Sequence, residues 1–360
     1  MLPGGAIYTV VADLVQTSVP IANASTPNRR TALRGRAPVR AAATRAALAL
    51  VLAIAPLGCE KGKALAAGAS GQPEERVGPM TDLSQKHQVL FQVFGERDDP
   101  RLIPVAIMRN GALERIELDA DGWKQFDGSY MRSPSAITLY HDGRPVGEAR
   151  VRQGMWEKEG EALYTLPSCR VLTPLAALTL GEGVKAGFTV EYLASNATIP
   201  SRERGAPMDP EVATRAAREV AYGVGNRADI PASGLDSLDF RAVAINTGAS
   251  AEPTLVASFI DPGASEGAGE GTARHVFAIA DRSGDRYAAT FAHAVNASAA
   301  NATYRRYVDH LDLTGDGVDE IILEGWQSGG DTYLLVLGYK SGRWDELYRG
   351  RSSWCVQKGK

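Results

Sequence analysis

The chain has 360 residues, 44% hydrophobic and 22% charged, with a formal net charge of −3. That balance describes a globular chain with room for two domains, each large enough for its own core. It excludes a strongly basic nucleic-acid binder, which needs an extended cationic face. Five His and three Cys are too few for a Cys-rich or multi-metal scaffold.

Residues 1–58 read as leader and signal peptide. Residues 46–58, AALALVLAIAPLG, are a continuous apolar stretch preceded by Arg34, Arg36, Arg40 and Arg45, the basic-then-apolar order of a secretory signal. No apolar run reaches the roughly 18 residues of a permanent membrane helix. The same leader carries six Arg and one Asp, so the remainder has a net charge of −8, which favours solubility.

At its end, Leu57-Gly58-Cys59 resembles the lipobox of bacterial lipoproteins. The resemblance implies that the chain is cut before Cys59 and lipidated there. It implies export across the inner membrane and a lipid anchor in the periplasm or at the outer membrane. Ordinary signal cleavage nearby and an uncleaved apolar anchor are the alternatives. With Cys59 acylated, Cys169 and Cys355 remain. An even remainder in an oxidising compartment suggests a disulfide, worth about 4–5 kcal/mol for so long a loop. Two free thiols are the alternative.

Residues 59–82, rich in Gly, Ala, Lys and Glu with Pro73 and Pro79, read as a flexible tether. Residues 83–200 read as an N-terminal β domain. Strands are predicted at 105–108 and 113–118 around Asn110-Gly111, and at 137–141 and 146–151 around Asp142-Gly143. Both dipeptides are strong hairpin signals. Further strands are predicted at 89–94, 174–180 and 188–193. Residues 201–235 form a helical linker, with one helix over 209–222. Asp209 caps it, Pro210 takes its first position, and Gly223 and Gly225 end it. Residues 236–357 read as a C-terminal β domain with strands at 242–245, 254–260, 275–280, 287–291, 320–325, 332–337 and 344–348. The expected fold is mainly β: two small antiparallel domains, sandwich- or barrel-like, the second blade-like, joined by one α-helix.

The segment that carries chemistry is Asp312-Leu313-Thr314-Gly315-Asp316-Gly317-Val318-Asp319-Glu320. Oxygen ligands at positions 1, 3 and 5 with Gly at 6 match the first half of a Ca²⁺ loop. Asp312, Thr314 and Asp316 would coordinate by side chain, Val318 by its carbonyl, and Glu320 directly or through water. With the strand that follows, the segment resembles the FG-GAP/VCBS-type repeat of β-propellers such as integrin α-chains. In that family an Asp-rich loop between two strands of a blade binds Ca²⁺, so the resemblance implies a structural ion with a Kd on the order of 10⁻⁴–10⁻³ M. An Asp/Gly-rich turn favoured by geometry alone is the alternative. No second copy of the repeat is legible.

Gly263-Ala264-Ser265-Glu266-Gly267 has the form of a nucleophile elbow, but the Gly-rich run after Ser265 lacks the helix an elbow requires. Aromatic residues crowd the last forty positions, where they serve either packing or a glycan- or peptide-binding face. The chain therefore reads as a non-catalytic envelope lipoprotein, a binding or scaffold module. Its expected partners are the membrane, through the lipid, and an envelope protein or glycan, with no nucleic acid. The rival reading is an envelope hydrolase assembled from scattered residues such as Ser265, His293 and Asp309.

Overall fold

Left-handed residue pairs set the first hairpins. Asn110 and Gly111 take φ of 52° and 74°, and Asp142 and Gly143 take 55° and 71°, the type I′ geometry that matches strand twist. The computed structural model describes residues 80–132, 136–154, 156–158, 161–162, 175–201, 205, 207–261, 271–327 and 332–350. Cys59, Ser265, Cys169 and Cys355 lie outside them.

The chain runs through β1 (Gln88–Glu96), β2 (Asp99–Arg109), β3 (Ala112–Glu114), α1 (Ala120–Phe126) and a π-helical turn over Asp127–Met131. It continues through β4 (Ile137–His141), β5 (Arg144–Gln153), the short pair β6 (Trp156–Lys158) and β7 (Glu161–Ala162), β8 (Ala176–Leu180) and β9 (Thr189–Ser195). The order β1-β9-β4-β5-β8-β2 closes on itself through a β1–β2 pairing, so six antiparallel strands form a ring, with β3 attached to β2. Closure removes the exposed edges that an open sheet of this size would carry. Val89, Phe91, Val93, Leu139 and Tyr192 fill the inside together with Phe126, Tyr130 and Met131 from α1 and the π turn. The barrel is a packed core.

The helix α2 (Pro210–Arg227) is capped as its sequence predicts: Asp209 Oδ1 accepts the N–H groups of Glu211 at 2.9 Å and Val212 at 3.0 Å. It runs past Gly223 and Gly225, which do not end it. A side chain at Gly225 would place Cβ 2.6 Å from Leu235 in α3 (Ala232–Leu235), so this glycine serves helix–helix approach. The buried stripe is Ala213, Ala217, Ala221 and Val224, while Val212 is exposed.

Two four-stranded antiparallel meanders follow. The first is β10 (Asp239–Ile245), β11 (Thr254–Ile260), β12 (Thr272–Ser283) and β13 (Arg286–Ser298). The second is β14 (Thr303–Leu311), β15 (Glu320–Gln327), β16 (Thr332–Lys340) and β17 (Arg343–Arg349). The protein is thus mainly β with antiparallel sheets. β14 was not among the predicted strands, and the strand expected at 113–118 extends only to Glu114.

These elements stack in layers. The alanine stripe of α2 packs on Leu255, Ala257, Val276 and Ala278 of the first meander. On that sheet's other face, Val256, Phe277 and Ile279 meet Ile321, Leu323, Leu335 and Leu337 of the second. The second meander's opposite face, with Ile322, Leu334 and Val336, packs on Leu90, Ala106, Tyr140 and Leu193 of the barrel's outer surface. The second meander is therefore buried on both faces.

Polar side chains join the layers. Arg306 of β14 makes a bidentate ion pair with Glu191 of β9 and a second with Glu324, and Tyr348 donates to the Val105 carbonyl at 2.7 Å. Between the meanders, buried Asp281 accepts from Thr254 Oγ1 at 2.6 Å, Thr290 Oγ1 at 2.5 Å and Trp344 Nε1 at 2.9 Å. Trp344→Phe keeps a ring in this layer and removes one donor from a buried carboxylate. The expected cost is about 1–3 kcal/mol, read as a lower urea midpoint at unchanged m-value.

Candidate functional site

The Asp-rich loop spans the gap from β14 to β15, with Gly315 at φ 76° and Gly317 at φ 92° where the chain must turn left-handed. Those turns aim the loop's own N–H groups at its carboxylates. Asp312 accepts from Gly315 at 2.8 Å and Gly317 at 3.0 Å, one on each oxygen. Asp316 accepts from Val318 at 2.8 Å. Glu320 Oε2 accepts from the N–H groups of Leu313 at 2.7 Å and Thr314 at 3.2 Å, and its Oε1 from Thr314 Oγ1 at 2.9 Å. Burial pushes the Glu320 carboxyl up to about 7, against the lowering effect of those hydrogen bonds. Asp319 is buried, and its N–H donates to the Thr247 carbonyl at 2.8 Å, tying the loop to the end of β10.

Among the described residues, no three His, Cys, Asp or Glu side chains are grouped to hold a metal ion. Each oxygen of Asp312 and Oε1 of Glu320 accepts one donor from the loop and keeps a second lone pair, so these bonds close the turn without barring a cation. The loop is a turn closed by its own N–H groups on Asp312 and Glu320.

The loop abuts the barrel. Gly111 of the β2–β3 turn comes so close that a Cβ there would lie 3.1 Å from the Thr314 carbonyl. A polar groove of about 150 Å³ runs along this contact, lined by Arg109, Asn110, Asp312 and Thr314 among others. A wider, open trough of about 630 Å³ lies on α2, with Glu211, Arg215, Arg218 and Tyr222 at its walls.

Beside the loop lies a buried polar cluster that sequence reasoning missed as a unit. Asp309 Oδ1 accepts from the Gly143 N–H at 3.0 Å and the His310 N–H at 2.8 Å. The His310 ring meets Tyr307 Oη at 2.7 Å and sits 3.8 Å from Asp319. Burial pushes the Asp309 carboxyl up to about 6 and the Tyr307 phenol well above its ordinary value. A Cβ on Gly143 would strike the His310 ring at 2.6 Å, so the barrel hairpin closes directly over this group. The signal for the cluster was the Asp309-His310 pair, which acquires a partner only when the distant Asp142-Gly143 turn docks on it.

Of the residues in the rival hydrolase reading, Ser265 lies outside the described residues, and Asp309 and His293 have different partners. Asp309 bonds toward the barrel hairpin, whereas His293 Nε2 meets the Thr303 carbonyl at 3.1 Å between the two meanders. Compared with models of known protein families, with curated proteins and with solved structures, the chain matches none of them.

Two predictions follow from this chemistry. Burial holds His275 neutral down to about pH 3, and burial with Arg305 nearby holds His293 neutral down to about pH 4. The unfolded chain takes up these protons below about 6.5, so each histidine's contribution to stability is lost as pH falls through that window. From pH 7 to pH 5, wild type is expected to lose about 2 kcal/mol more stability than His275→Gln, measured by urea unfolding at each pH. For the loop, thermal melting with Ca²⁺ titrated to about 10 mM, beside Asp316→Ala, measures whether it takes the ion. A loop that serves as a turn alone leaves the wild-type curves unmoved, whereas a rise lost in the variant would establish a Ca²⁺ site.

Proposed function

We propose that the protein is a non-catalytic binding or scaffold module of the bacterial cell envelope, held at a membrane by a lipid on Cys59. The observation that carries the reading is how the buried polar groups are used. Asp281, His275, Asp309 and Glu320 have the residue types and burial of catalytic groups, yet Asp281, His275 and one oxygen of Asp309 are engaged by partners that join one layer to the next, and Glu320 by its own loop. A stack with packed interfaces and a filled barrel offers its surface to a partner. The trough on α2 and the groove beside the Asp-rich loop are two concave candidates among the described residues. Both are too open or too small to desolvate a substrate as an enclosed pocket does.

The anchor rests on the apolar stretch and Leu57-Gly58-Cys59. No helix among the described residues is long and apolar enough to cross a membrane. The full chain produced in a bacterium supplied with an alkyne fatty acid should acquire label, and Cys59→Ser should lose it. The purified protein should stay unlabelled by a fluorophosphonate probe. An unlipidated wild type would overturn the anchor, and covalent modification by the probe would overturn the non-catalytic reading.

A further inference from the structure

The layer between the two meanders is apolar at its centre and cationic at one end. The strand register shows how this arises. Arg305 of β14 pairs with Gly325 of β15, which pairs with Tyr333 of β16, so these residues form one row across the sheet. Arg349 of β17 pairs with Leu335, a residue of the inter-sheet core. On the facing sheet, His293 pairs with Phe277, which belongs to that same core. Alternation therefore points Arg305, Tyr333 and Arg349 from one side, and His293 from the other, into the same space.

Gly325 makes room for this row. A Cβ there would lie 2.6 Å from the Tyr333 ring and 2.7 Å from an Arg305 guanidinium nitrogen. The Tyr333 ring then receives both cations, with Arg305 Cζ 5.1 Å and Arg349 Cζ 4.8 Å from its centroid. Arg305 is 8% exposed. Its hydrogen bond runs to the Tyr304 carbonyl at 3.0 Å, and among the described residues no carboxylate forms an ion pair with it. Burial lowers its pKa; the Tyr333 phenol, by charge and a side-chain hydrogen bond, acts the other way, as does Glu346, which is already engaged bidentately by Arg349.

Burying a guanidinium without a counter-charge is unfavourable. Among the described residues, two arginines against one committed glutamate leave this end of the layer net positive. His293 adds no charge near neutral pH, because burial and the neighbouring arginines hold it neutral. Its Nε2 faces the Thr303 carbonyl, so that nitrogen carries the proton and Nδ1 is left as the site of protonation.

We propose that this cationic end of the layer, with Arg305 as its anchor and Arg349, Tyr333 and His293 around it, binds a small oxyanion of the phosphate or carboxylate type. The guanidinium fork suits such a group. Arg305 supplies the buried charge, Arg349 the exposed one, and His293 gains a proton more readily once the anion neutralises its neighbours. This site does not depend on the module reading or on the lipid anchor.

The test is thermal melting of the full chain in chloride, phosphate or acetate at constant ionic strength. Phosphate at about 10 mM is expected to raise the melting temperature by about 3 °C. Arg305→Met, which replaces the unpaired charge by an apolar side chain, should melt in chloride no lower than wild type and should lose the rise. A response to phosphate alone assigns a tetrahedral anion, and a response to acetate as well assigns oxyanions generally. Melting curves identical in all three salts, or a rise that survives Arg305→Met, would overturn the site. Should that variant not fold, His293 in wild type decides the matter: its NMR titration should move upward with phosphate, and an unmoved titration rejects the proposal.

Discussion

The second meander is buried on both faces, and the rest of the architecture depends on that constraint. A strand with solvent on one side alternates apolar and polar residues, but a strand covered on both sides must be apolar throughout. Ile321-Ile322-Leu323 and Leu334-Leu335-Val336-Leu337 meet this condition, with odd positions against the first meander and Ile322, Leu334 and Val336 against the barrel. Removing either neighbour would expose a whole apolar face. The barrel and the first meander, which do not touch through these cores, are held in place by the sheet between them.

Such a stack creates long buried interfaces, and buried polar groups must be hydrogen-bonded within them. The protein places its polar residues where layers meet and uses them as joints. Asp281 gathers Thr254, Thr290 and Trp344 across the inter-meander layer. Arg306 reaches from β14 to Glu191 on the barrel, and Asp309 reaches the Gly143 N–H. The Asp-rich loop follows the same logic on a smaller scale, because its carboxylates close the turn by accepting its own N–H groups. The cationic end of the inter-meander layer departs from it. There, among the described residues, no carboxylate forms an ion pair with buried Arg305, and the proposed anion would supply the missing charge.

Much of the fold was legible in local chemistry. Asn110-Gly111 and Asp142-Gly143 gave both hairpins because type I′ turns need two left-handed residues in succession. The Asp209-Pro210 start of α2 was equally plain. β14 was missed because its sequence, TYRRYVDHL, places Arg305 and Arg306 together and shifts register at a bulge between Tyr307 and Asp309. Adjacent charges and a broken alternation hide a strand whose arginines each find a different neighbouring layer. The end of α2 was misplaced for a related reason. Gly223 and Gly225 look like stops, yet Gly225 is there to admit Leu235.

By itself, the sequence determined what short-range rules control: the hairpin turns, the helix start, the strand-rich composition, and an Asp-rich turn between two strands. Each follows from backbone preferences and spacing within a few residues. Only the tertiary structure decided that six strands close into a ring and that two meanders lie face to face. It also decided that His293 faces Arg305 while Asp309 faces Gly143. These contacts join residues far apart in the chain, and their partners depend on which side of a pleated strand each residue occupies. A single bulge reverses that side, and no local pattern reports where the bulge will fall.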